Sequence, residues 1–166
     1  MHLARYILKR CDLMYKLKTI ILVITLTLTF VLAACQAGSN GPDIVIEDPW
    51  GRPLPKVATA GAFYMVIKNN GGESDRLIGA TSPSCQTIEL HESYDKGDGV
   101  MGMRQVEGGA IEIPAGGQAE LKMGGLHIMC IDKLDDFEEG ATLSLSLDFE
   151  KSGGKTIEII IRQPDM

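Results

Sequence analysis

Past its first 34 residues the chain has no segment with a convincing helical period over three turns, and it has no internal repeat. The first absence argues against a helical bundle, the second against a repeat architecture. Positive charge is also scarce. The first 34 residues hold 5 of the 16 Lys and Arg but 1 of the 22 Asp and Glu, which leaves residues 35–166 with 11 basic against 21 acidic side chains, a net charge of −10. A surface of that sign repels a phosphate backbone, so nucleic-acid binding is excluded; it suits solubility and tolerates cations. No Ser-His-Asp set and no pair of carboxylates stands out, so nothing points to a hydrolase or to another enzyme. Cysteine is sparse as well. Of four, Cys11 and Cys35 lie in the N-terminal segment, and only Cys85 and Cys130 remain beyond it.

That N-terminal segment has its own pattern. "KRCDLMYKLK" carries positive charge, "TIILVITLTLTFVL" carries none, and "LAAC" ends in small residues and Cys35. A basic start, an apolar stretch and small residues before a cut mark an export signal over residues 1–34. The apolar run is also long enough to be weighed as a single membrane anchor, but its ending favours the signal. Met14 offers an alternative start. "LAAC" resembles the bacterial lipobox, and that resemblance implies cleavage before Cys35 and a lipid on its thiol. Residues 35–42, small, polar and glycine-containing, then form a flexible tether. Residues 43–166 form one folded unit outside the cytoplasm, exported and held at the membrane, facing a periplasm or the cell exterior.

Within residues 43–166, short alternating runs are broken by glycine-rich turns such as "NNGGESD", "YDKGDG", "PAGG" and "KSGGK". In "TLSLSLDFE" the residues Leu143, Leu145, Leu147 and Phe149 share one face with period two. Ten such runs predict an all-β fold, an antiparallel β-sandwich or barrel whose end loops offer a place for a site.

Two histidines fall in this unit, His91 and His127. "LHIMC" sets His127 and Met129 at i and i+2, so both leave a strand on the same face, while Leu126, Ile128 and Cys130 leave on the other. By the same rule Met101 and Met103 share a face. Neither His-x-Met nor Met-x-Met is an ordinary solvent face, which favours Thr, Lys or Glu, nor an efficient core, which favours Leu or Val. Met65, inside "AFYMVIK", is read as core filling. Imidazole with thioether suits copper(I), and thioether is a poor ligand for zinc, calcium or magnesium. Outside the cytoplasm thiolate pairs go to disulfides, whereas thioethers do not and need no deprotonation. Cys85 and Cys130 most simply form one disulfide; the alternative is that Cys130 is a thiolate ligand.

The stretches "HESYDKGDGVMGMRQVEGG", "ELKMGGLHIM" and "EGATLSLSLDFEKSG", with upstream "DPWGRP" and "GAFYMVIKNNGGESDRLIGATSP", resemble the PCu(A)C family of extracytoplasmic copper chaperones over residues 44 to about 162. The resemblance implies a cupredoxin-like Greek-key β-sandwich and copper(I) ligands at His91, Met103, His127 and Met129. It also implies delivery to a membrane cuproprotein, a cytochrome c oxidase subunit or another copper chaperone; storage or copper tolerance is the alternative role. Met101 is a spare or exchange ligand. Glu92 stands where some members carry a methionine, and 23 residues separate Met103 from His127, slightly more than usual. Met123, four residues before His127, is read as a loop residue at the rim. Trp50 and Arg52 are read as packing and a structural ion pair. Two rivals remain: an adhesion or scaffold sandwich with incidental methionines, and a blue-copper protein using His₂Cys with an axial methionine.

Overall fold

The computed structural model describes residues 41–164. The expected signal, Cys35 and the tether up to residue 40 lie outside the described residues. All ten expected strands form: β1 (Ile44–Gly51), β2 (Ala60–Asn69), β3 (Asp75–Thr81), β4 (Cys85–Asp95), β5 (Met101–Gln105), β6 (Ile111–Ile113), β7 (Gln118–Leu121), β8 (Leu126–Lys133), β9 (Thr142–Phe149) and β10 (Gly153–Ile161). Among the described residues the helical content is a single 3-10 turn, Glu107–Gly109. The strand order is β5-β4-β8-β7-β2-β1-β10-β9-β3-β6, with β8 also pairing β2.

This sheet wraps around one core as a cupredoxin-like β-sandwich. Alternation supplies the inner face. On β9, Leu143, Leu145, Leu147 and Phe149 are buried and the residues between them are not. On β2, Phe63, Met65 and Ile67 point inward, so Met65 is the core filler its sequence context suggested. Phe137, from the loop after β8, stacks on Phe63 with centroids 5.5 Å apart.

Pairing is antiparallel except at two places. β1 and β10 are parallel through Trp50↔Ile160 and Gly51↔Ile161, and β7 meets β8 in parallel at Leu121↔Leu126. The β1 exception has a local cause. Its register against β2 slips between Glu47 and Trp50, where Asp48 takes a positive φ of 47°. Such a bulge bends and twists a strand, which lets one strand serve two parts of a wrapped sheet.

Polar pins close the ends. Asn69 is buried; its Oδ1 accepts from the Asp43 and Gly71 amides and its Nδ2 donates to the Glu73 carbonyl. Asp75, fully buried, accepts from the amides of Arg76, Lys151 and Ser152 and from the Ser152 hydroxyl, tying β3 to the β9–β10 turn. Burial, the largest single effect on its carboxyl, pushes the pKa up, but these four donors together hold it below the usual value. Cys85 and Cys130 are joined in a disulfide between β4 and β8, within the core cluster.

Near Trp50 the expected ion pair is made differently. Arg162 sits over the Trp50 ring at 5.0 Å and forks onto Asp48 at 2.8 and 2.9 Å. Among the described residues no carboxylate pairs with Arg52, which is exposed and lines a cavity instead. The partner of the bulge is the cation at the end of β10, because β10 runs parallel beside β1.

Candidate metal site

The site is built by register. In the antiparallel β4–β8 ladder, His91 is the direct partner of His127 and Glu89 the direct partner of Met129. In the β4–β5 hairpin, His91 faces Gln105, Ser93 faces Met103 and Asp95 faces Met101. Directly opposed residues project from the same face of a sheet. Glu89, His91, His127, Met129, Met103 and Met101 therefore share one face across three strands, with Leu90, Ile128 and Cys130 buried on the other. End loops were the expected location. Instead, these residues are held by strands, and the β7–β8 loop with Met123 and Gly124 contributes only the border.

A cavity of 310 Å³ opens on this face, lined among others by Tyr64, Met103, Met123, His127 and Met129. His127 is only 3% exposed, although it lies on the outer face. Tyr64 lies 6.4 Å from its ring and itself packs on Trp50 at 4.7 Å. Burial pushes the Tyr64 hydroxyl's pKa up. His91 is beside His127 rather than in the cavity wall: the ring centroids are 5.8 Å apart in an edge-on arrangement, and the His91 side chain is 14% exposed. Met103 and Met123 stand open at 63% and 45%. Met101, at 57%, is on the shared face beyond the cavity lining.

Each imidazole has one nitrogen engaged and one bare. His127 Nδ1 is 3.0 Å from the Gly125 carbonyl, which can only accept, so Nδ1 carries the proton and Nε2 a lone pair. His91 Nε2 is 2.7 Å from a Glu89 carboxylate oxygen, which leaves Nδ1 as the lone-pair atom. His127 Nε2 and His91 Nδ1 are both buried without a partner among the described residues. Burial lowers the His127 pKa, opposed by the Gly125 hydrogen bond and reinforced by the neighbouring His91, so the neutral ring is favoured. The hydrogen bonds from His91 and Gln105 hold the Glu89 carboxyl below its usual range. Buried orphan nitrogens are expensive unless a ligand satisfies them.

The donor set fits a soft monovalent cation. Among the described residues no three His, Cys, Asp or Glu side chains gather as a metal-binding group. Zinc or calcium would lack its usual complement, and the thioethers must supply what the imidazoles do not. Cys130 offers no thiolate, because its sulfur is in the disulfide.

Glu89 was missed at the level of sequence, though its signal was present. It stands two residues before His91 and so has the same strand parity. The Gly125 carbonyl and Tyr64 carry no such signal, because only the folded chain brings them to the histidines.

Fold and face together define a PCuAC-type domain, a cupredoxin-like sandwich with a histidine–thioether face. The pattern of the LpqE-like family, described as "Putative lipoprotein LpqE-like", matches residues 44–161, and the chain belongs to that family. "Putative lipoprotein Lxx21020" of Leifsonia xyli subsp. xyli is 29% identical over 133 residues, covering 80% of this chain and 76% of that one. Among solved structures, the copper-bound PCuAC domain from PmoF2 is 26% identical with a TM-score of 0.60, covering 77% of this chain and 97% of its own. Two others share the fold at lower identity. The apo PCuAC domain from PmoF1 matches at 24% and TM-score 0.62, over 73% and 94% of the two chains. Copper(I)-loaded DR1885 from Deinococcus radiodurans matches at 23% and TM-score 0.58, over 78% and 85%.

Proposed function

We propose that this protein is a copper(I) carrier that works outside the cytoplasm and performs no catalysis. One observation carries the reading: two adjacent imidazoles each present a buried, unpartnered ring nitrogen on a face that also carries thioethers. His127 Nε2 and His91 Nδ1, with the sulfurs of Met129 and Met103, form the ligand set. The copper-bound state of the PmoF2 domain supports copper as the cargo. Copper(I) prefers soft sulfur with borderline nitrogen, and neutral thioethers bind it without releasing protons.

Exposed thioethers suit transfer. A recipient's ligand displaces Met103 first, since that side chain is the most open of the four, while the buried His127 is released last. Met101 and Met123 stand outside the set as exchange ligands. A lipid on Cys35 and the tether of residues 35–42 hold the carrier near a membrane cuproprotein, such as a cytochrome c oxidase subunit or another copper chaperone, and raise its effective concentration there. The lipoprotein names of the family and of the Leifsonia relative support the anchor.

Copper(I) titration of residues 39–166 against a competing chelator tests the reading. Stoichiometric binding by the wild type, lost in both His127→Ala and Met129→Ala, is the expected result. Equal binding by all three proteins removes the reading, and no binding by any of them leaves a non-metal scaffold.

A further inference from the structure

We propose that Glu89 is the positioning residue of this site: by accepting the Nε2 proton of His91 it makes Nδ1 the metal-binding atom and sets a negative charge behind the ring. The inference rests on the copper(I) reading above and specifies how one of its ligands is aimed.

A neutral imidazole has one proton and two places for it. The lone pair that binds a metal is whichever nitrogen the proton leaves free, so the hydrogen-bond partner of the other nitrogen selects the donor atom. At His127 the selector is the Gly125 carbonyl at 3.0 Å. At His91 it is the Glu89 carboxylate at 2.7 Å, the shorter contact of the two. The two rings are thereby set in opposite tautomers, Nδ1–H at His127 and Nε2–H at His91. The bare nitrogens are Nε2 of one and Nδ1 of the other, the two buried unpartnered ring atoms.

Register explains why Glu89 can do this. It lies two residues from His91 on β4, on the same face, and opposite Met129 on β8. Gln105, opposite His91 on β5, also hydrogen bonds to the Glu89 carboxylate. The charge of Glu89 is a second contribution. Two imidazoles and thioethers are neutral, so a cuprous ion would bring an uncompensated positive charge into a half-buried face. A carboxylate hydrogen-bonded to a ligating ring offsets that charge and strengthens the donation of Nδ1.

Long-range proton–nitrogen correlation spectra of the metal-free protein at pH 8 read each tautomer directly, and copper(I) affinity is measured in parallel. In the wild type, His91 should be the Nε2–H tautomer and His127 the Nδ1–H tautomer. Glu89→Leu should shift His91 toward Nδ1–H, leave His127 unchanged, and weaken copper(I) binding by about 10- to 100-fold, the usual range for a lost ligand-orienting partner. Glu89→Gln keeps an acceptor oxygen without the charge. It should retain the tautomer and lose less affinity than Glu89→Leu, which also guards against a folding defect in the leucine variant. A wild-type His91 found as Nδ1–H, an unchanged tautomer in Glu89→Leu, or a shifted tautomer with undiminished affinity overturns the proposal. A wild type that binds no copper(I) while its tautomers respond as described removes the carrier reading and leaves the Glu89–His91 lock standing.

Discussion

His91 and His127 face each other across the β4–β8 ladder, 36 residues apart in sequence, with ring centroids 5.8 Å apart. Each hides one ring nitrogen without a partner among the described residues. An orphan of this kind costs roughly 1–3 kcal/mol in the metal-free state. Replacing His127 with leucine should therefore cost the metal-free domain little in melting temperature and can raise it; the Gly125 carbonyl keeps the Ser93 amide as a donor. One equivalent of copper(I) should raise the wild-type melting temperature by ligand linkage and leave His127→Leu where it was. Circular-dichroism melts with and without copper(I) read both effects. A large loss of stability in the metal-free variant would make the ring a structural element instead.

Three methionines, Met103, Met123 and Met129, line the cavity, and Met101 lies beyond it on the same face. Leucine replaces methionine with little change in volume, so the fold should tolerate each swap. Met129→Leu and Met103→Leu should each weaken copper(I) about tenfold or more, equivalent to about 1.4 kcal/mol. Met101→Leu and Met123→Leu should stay within about threefold in affinity but slow the handover of copper(I) to a chelator. Competition titrations and stopped-flow transfer kinetics separate the two classes.

The disulfide contributes to the fold and not to the metal. Cys85 and Cys130 are 45 residues apart, and closing a loop of that size is worth about 4 kcal/mol in the chain-entropy account. A Cys85→Ser, Cys130→Ser double variant should lose stability on that order in urea titrations while its copper(I) affinity holds. Copper(II) added to the oxidised wild type should produce no intense visible thiolate band, since Cys130 has no free sulfur. Such a band would restore the blue-copper rival.

Acid should loosen the end of the molecule where Asp75 accepts its four hydrogen bonds. The folded pKa of Asp75 is lowered, so the unfolded chain takes up its proton first as pH falls. The stabilisation is complete above the unfolded carboxylate value of about 3.9 and is lost as pH drops through the lower folded value. In Asp75→Asn, urea midpoints should fall at pH 7 by an amount equivalent to about 2–3 kcal/mol. The variant should also show a flatter decline than wild type between pH 5 and pH 2, a window that spans about 3.9 and the values below it. Parallel declines would assign the acid sensitivity elsewhere.

Much of the framework is determined by the sequence alone. Period-two alternation yields all ten strands, with Leu143 to Phe149 the plainest case, and the same parity places His127 with Met129 and sends Cys130 to the core. These are local properties: a strand's two faces follow from its own residue order. Partners and registers are not local. The tertiary structure alone sets His91 opposite His127 and Met103 opposite Ser93, because pairing is chosen by whatever buries the whole core. It likewise puts the site on a sheet face instead of among end loops, and it gives Asp48 the cation of Arg162 and not that of Arg52. Which nitrogen of each histidine is free is decided there too, by the Gly125 carbonyl and the Glu89 carboxylate that only the assembled sheet brings within hydrogen-bonding distance.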